Sequence, residues 1–159
     1  MHSGIPAQQA SASQRASVQY SFSFLADAPR NRVFELVTPE GERRWAPGWD
    51  PRYLTASKLE FHTVFETGGA HHRRIWIIDS VDVSSGHIRY VALQPDTQVA
   101  TIDVTVRAEK QQSRVSVNYA IVSLSAQNDP RVRDSAPDTA ALGEHWRAAF
   151  EAALLAEHP

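Results

Sequence analysis

The chain has 159 residues, of which 42% are apolar and 21% charged, with a formal net charge of -2. A domain of about 150 residues buries roughly 68–70% of its unfolded surface, so one domain with a real core is expected. The near-neutral balance leaves no basic footprint for nucleic acid or an anionic membrane, and the absence of cysteine excludes disulfides and thiol chemistry.

Residues 1–16 are rich in Ser, Ala and Gln and lack the apolar core of a signal peptide, so they read as a disordered tail. A single domain is expected over 17–159. No apolar run approaches the roughly 18–20 residues of a membrane span. Membrane insertion and nucleic acid are therefore not expected, and the cytoplasm is the expected compartment.

Ser17 to Asp27 alternates, with Val18, Tyr20, Phe22 and Phe24 on one side, which predicts a half-buried strand. Asp27-Ala28-Pro29 ends it and Pro29 suits the first position of a helix. Val33, Phe34 and Val37 then mark a short helix that stops near Thr38, because Pro39 follows. Thr38 is a candidate cap for a further helical turn over Pro39-Glu40-Gly41. The stretch Pro39 to Pro51 carries Trp45 and Trp49 on a segment too broken to be a strand. Those two indoles either cover the end of a sheet or line a pocket.

Strands follow. Phe61, Thr63, Phe65 and Thr67 alternate with His62, Val64 and Glu66, and Gly68-Gly69 turns the chain. Arg74 to Val83 is apolar on both faces, which places it inside a sheet. His87–Gln94, Ala100–Ala108 and Val115–Ile121 alternate in turn, separated by short polar turns. Turns recurring at this spacing predict an antiparallel meander. From about Ala136 to Glu157 the period becomes helical, with Leu142, Trp146, Ala149, Phe150 and Ala153 on one arc and Glu144, Arg147 and Glu151 opposite. About 22 residues at about 1.5 Å each give roughly 33 Å of helix, enough to cross a sheet. Ser135 with Asp138 reads as its capping box. Strands covered on one face by a helix give an α+β fold.

This order of elements resembles the helix-grip superfamily, often called SRPBCC or START-like, and within it a polyketide cyclase-like bacterial subgroup. The likeness spans about Ser17 to Glu157. It rests on Asp27-Ala28-Pro29 leading to Val33-Phe34, on TPEGERRWAPGWDP over Thr38–Pro51, and on Trp146 in the last helix. It implies a curved antiparallel sheet wrapped around a long C-terminal helix, with short helices after the first strand. It also implies a cavity between sheet and helix that holds an apolar ligand. The superfamily includes lipid-transfer domains, aromatase/cyclases and a chaperone co-activator branch; no catalytic set of the cyclases maps onto this chain residue by residue.

Candidate chemistry is sparse. His71, His72 and His62 form the tightest histidine group, but adjacent strand residues point to opposite faces. A solvated hairpin end is expected there, with no metal and no cofactor. Acid–base candidates are His62, Tyr90, Asp103 and Tyr119. Asp103 shares a solvent-facing row with Thr101 and Thr105, Tyr90 and Tyr119 face the core, and the face of His62 is ambiguous. No residue is assigned as catalytic. The positive feature is aromatic supply. Trp45, Trp49, Trp76, Tyr90, Trp146 and Phe150 are the candidate ligand-binding walls, and His62 or Tyr90 the candidate polar contact. The expected partner is a small hydrophobic molecule that is lipid-like, aromatic or polyketide-like. A cofactor-independent cyclase/dehydratase using the same cavity, and a protein-interaction module, are the alternatives. Homodimerisation is left open.

Overall fold

The computed structural model describes residues 14–157. Strands β1 (Ser17–Ala26), β2 (Arg52–Tyr53), β3 (Val64–Thr67), β4 (Arg74–Asp82), β5 (His87–Gln94), β6 (Gln98–Glu109) and β7 (Gln112–Ser123) form one curved antiparallel sheet. Their order is β1-β7-β6-β5-β4-β3-β2. Helices α1 (Arg30–Leu36) and α2 (Pro39–Glu42) follow β1, and α3 (Asp129–Arg133) and α4 (Thr139–Ala156) follow β7. The α+β helix-grip architecture expected from the sequence is the one observed.

Alternation decides which face is core. Phe22, Phe24 and Ala26 of β1, Tyr90 and Ala92 of β5, and Ile102, Val104 and Val106 of β6 are buried on the inner face. The intervening Thr101 and Asp103 belong to the outer face, where Asp103 accepts from Arg89 Nε at 2.8 Å. The helix α4 lies over this inner face against β1. Phe22 meets Trp146 edge-on at 5.2 Å, and Phe24 meets Phe150 at 5.1 Å. The opposite side of α4 is solvated, with Arg147 bridging Glu144 and Glu151. Its far end is tied down because Arg32 donates to the Glu157 carboxylate at 2.6 Å, and Arg44 pairs with the same group.

Four expectations need correction. The C-terminal helix starts at Thr139, not near Ala136: Asp138 is its cap, accepting from Ala141 N at 3.0 Å, while Ser135 donates to the Val132 carbonyl. Pro137 explains this, since the residue before a proline is steered away from helical backbone. The strand expected from Phe61 starts only at Val64, because His62 has a φ of 66° that breaks the alternation. A short edge strand, β2, pairs with β3 where none was expected. The tail read over 1–16 lies mostly outside the described residues, but Ala16 belongs to the domain: it donates to Asp129 at 3.1 Å and accepts from Ser123 N.

The α1–α2 junction is the tightest backbone approach. Thr38 caps α2 by accepting from Gly41 N at 3.1 Å. A β-carbon on Gly41 would overlap the Glu35 carbonyl and fall 2.9 Å from the Leu36 Cα. Backbone cannot swing aside as a side-chain tip can. Gly41→Ala is therefore expected to cost about 1–3 kcal/mol or more, read as a lower urea midpoint at unchanged slope. An unchanged midpoint would show that the junction has slack.

Candidate ligand pocket

The broken stretch after α1 is what closes the space between sheet and helix. The last carbonyls of a helix lack partners within it. Here aromatic donors supply them: Trp45 Nε1 donates to Leu36 O at 2.7 Å and Tyr90 Oη to Val37 O at 2.7 Å. Trp49 Nε1 donates to Pro39 O at 2.8 Å. Arg43 fastens the other side of the loop, reaching Asp50 at 2.5 Å and the Pro51 carbonyl at 2.8 Å. The indoles are thereby fixed at both ends of the segment. Trp45 packs on Trp146 at 4.7 Å and on Phe150 at 4.8 Å, and Trp49 packs on Trp76 at 5.1 Å.

What remains beneath them is a pocket of about 210 Å³. All four tryptophans of the chain, Trp45, Trp49, Trp76 and Trp146, line it together with Tyr90 and Tyr119. Val37, Ile102 and Val104 complete the apolar wall. Two sequence candidates are not part of it. Phe150 is 0% exposed and lies behind Trp45 and Trp146, so it supports the wall without lining it. His62 is exposed and stacks on Phe61, itself 60% exposed, at 3.7 Å. Its φ of 66° is left-handed and places it before β3, outside the alternating strand. Tyr90 does line the pocket, but its hydroxyl is engaged by the Val37 carbonyl.

Among the polar groups of the pocket, Glu42 is the one the sequence reading did not single out. Glu42, at the end of α2, faces the cavity with Arg74 of β4 and Tyr119 of β7. Glu42 is half-buried, and among the described residues nothing hydrogen-bonds to or ion-pairs with its carboxyl group. Removal from water pushes that carboxyl well above the usual carboxylate range. Burial likewise raises the Tyr119 phenol, with the Tyr20 hydroxyl and Glu42 adding to it. Arg74 is accommodated at 5.8 Å from the Trp76 ring centre and donates to Gln94 at 3.5 Å.

Glu42 couples this site to stability. Its folded-state proton affinity exceeds the unfolded one, so the folded chain binds more protons between the two values. Stability is then full below the ordinary glutamate range and falls as pH rises through the folded value. Glu42→Gln removes this dependence. Thermal melts from mildly acid to neutral pH are expected to show the wild type losing ground to Glu42→Gln as pH rises. Parallel curves would show that Glu42 titrates normally.

No family model matches the sequence, and no curated protein matches it. Solved structures do match in fold. Ara h 8.0201 aligns at a TM-score of 0.66 and 13% identity over 89% of this chain and 99% of that chain. Norcoclaurine synthase from Thalictrum flavum, in complex with dopamine and hydroxybenzaldehyde, aligns at 0.61 and 13% over 92% and 90%. CalU16 from Micromonospora echinospora aligns at 0.56 and 14% over 91% and 83%. The likeness to these structures is one of fold, extending over about nine-tenths of this chain. Among the described residues, no helix is long and apolar enough to cross a membrane.

Proposed function

We propose that this protein binds a small, ring-bearing hydrophobic molecule in the pocket between the sheet and α4, as a cytoplasmic ligand-binding protein. The observation that carries this reading is the tryptophan-lined space of about 210 Å³, where the Trp45 and Trp49 indoles are pinned by hydrogen bonds to backbone carbonyls and Trp76 by one to the Thr67 hydroxyl. A wall held this way is already organised before a ligand arrives, which lowers the cost of binding. The size narrows the ligand class. Drug-sized sites span about 300–1,000 Å³, whereas an apolar cavity of about 150 Å³ accommodates benzene. One substituted ring suits this space; a long acyl chain or fused polyketide asks for more. A structural neighbour solved with dopamine and hydroxybenzaldehyde supports the same size class.

The test is a titration of the full chain with benzyl alcohol, 2-naphthol and palmitate, followed by tryptophan emission. Because every tryptophan lines the pocket, the expected result is saturable quenching by benzyl alcohol, weaker by 2-naphthol and absent with palmitate. Saturation by palmitate alone, or by none of them, contradicts the reading.

Glu42 favours a second reading. A carboxyl group with raised proton affinity in an apolar pocket is suited to general acid–base work. A cofactor-independent proton-transfer enzyme would consume its ligand on incubation and lose that activity in Glu42→Gln; a ligand recovered unchanged leaves the carrier reading alone. An interaction module is disfavoured by the outer face, where Gln19, Arg89, Thr101, Asp103 and Asn118 border a shallow polar depression.

A further inference from the structure

The donors and acceptors around the pocket are unevenly used. Three of its four indole N–H groups point out of it: Trp45 to Leu36 O, Trp49 to Pro39 O, and Trp76 to the Thr67 hydroxyl at 2.9 Å. The Tyr90 hydroxyl proton is likewise taken by Val37 O. What these residues leave facing the cavity is ring surface, whose π faces are electron-rich. The carboxyl group of Glu42 stands among them with no hydrogen bond or ion pair among the described residues. The Trp146 indole N–H and the Tyr119 hydroxyl are neutral donors with no hydrogen bond among the described residues. Arg74 is the cationic donor on the wall, engaged by Gln94 and by the face of Trp76. That contact also displays the preference of the wall, since a cation already lies over one of its rings. A guest that brings hydrogen-bond donors and positive charge would meet an unpaired acceptor and aromatic faces. A guest that brings negative charge would meet the same electron-rich ring faces, with Arg74 as the one cationic group among the pocket's lining residues.

We propose that the pocket selects a small organic ammonium, a primary amine carried on a single ring, with Glu42 as its counter-ion and the tryptophan faces as its cage. The proposal rests on the pocket being a ligand site and adds the charge of the ligand. Without a guest, burial favours the protonated form of the Glu42 carboxyl. An ammonium group placed beside it stabilises the ionised form. Binding of the amine therefore releases the Glu42 proton to solvent. Tyr90 and Tyr119, both raised by burial, and the Arg74 guanidinium are the other ionisable groups on these walls.

The experiment is calorimetric titration of the full chain at neutral pH with benzylamine, benzyl alcohol and benzoate, three probes of one ring and nearly one size. Cation–π attraction and a charged hydrogen bond together predict benzylamine tighter than benzyl alcohol by at least about ten-fold. Repeating the benzylamine titration in buffers of different ionisation enthalpy should reveal proton release, absent for benzyl alcohol. Glu42→Gln should abolish the proton release and the preference for benzylamine over benzyl alcohol. Benzoate or benzyl alcohol binding as tightly as benzylamine to the wild type overturns the proposal without needing the variant, and leaves the pocket reading standing. Equal loss of all three probes in Glu42→Gln also overturns it. If none of the three binds the wild type, the pocket reading fails and the ammonium proposal with it.

Discussion

Phe150→Ala will lower stability by about 3–5 kcal/mol. Phe150 is 0% exposed and touches three rings at once: Phe24 from the sheet at 5.1 Å, Trp45 from the loop at 4.8 Å and Trp146 on its own helix at 6.0 Å. Its removal opens a void that fixed neighbours cannot collapse into, because Trp45 is held by Leu36 O. A loss of this size is a large part of the roughly 5–15 kcal/mol typical of a domain. The melting temperature should fall by on the order of 10 °C. Leu155→Ala on the same helix is the control. Leu155 is 69% exposed, so its loss should stay within about 0.5 kcal/mol. Equal effects of the two substitutions would mean that α4 is not held by its inward face.

Ala46→Leu will eliminate ligand binding and leave the fold intact. Ala46 lines the pocket between Trp45 and Pro47, and its backbone N–H donates to Glu42 O at 2.8 Å, a bond that leucine keeps. The larger side chain grows into a space of only about 210 Å³. Because it fills a void and not packed core, the overpacking penalty should fall at or below the usual 1–3 kcal/mol, roughly speaking. Affinity for a single-ring probe should fall by at least about ten-fold, with melting temperature nearly unchanged. Full retention of binding would place the ligand elsewhere.

The fold was legible because it is written locally. Period-two runs such as Val18, Tyr20, Phe22 and Phe24 state which side of a strand is buried, and the 3.6-residue period around Trp146 and Phe150 states which side of α4 faces them. Trp45 and Trp49 were visible as bulky apolar groups on a segment with no regular period. Their hydrogen bonds to Leu36 O and Pro39 O were not, since these depend on how α1 ends in space. Glu42 was the larger omission. In sequence it is one charge in a Gly-Glu-Arg-Arg run, the usual signature of a solvated turn. It acquires an apolar environment only because α2 presents it to Tyr119, which is far away along the chain. No local pattern encodes that juxtaposition. His62 failed for the opposite reason. Alternation over Phe61–Thr67 was assumed, and one residue with a positive φ delays the strand to Val64. Thr63 holds that irregularity in place through its hydroxyl, which bonds Ser57 Oγ at 2.9 Å and accepts from Glu60 N at 3.0 Å. The start of α4 was readable all along in Pro137, a stronger marker than the capping pattern at Ser135.

The central claim is that the space under α4 takes up a small ring-bearing molecule. Its most direct test is the set of indole Nε1–H resonances of the full chain, since all four tryptophans line that space. Titration with benzyl alcohol and benzylamine should shift the indole signals of Trp45, Trp49, Trp76 and Trp146 along saturating curves that fit one shared site. The outer-face amides of Thr101 and Asn118 should stay still. Indole signals that stay unmoved, or that drift linearly with probe concentration together with those amides, would contradict the account.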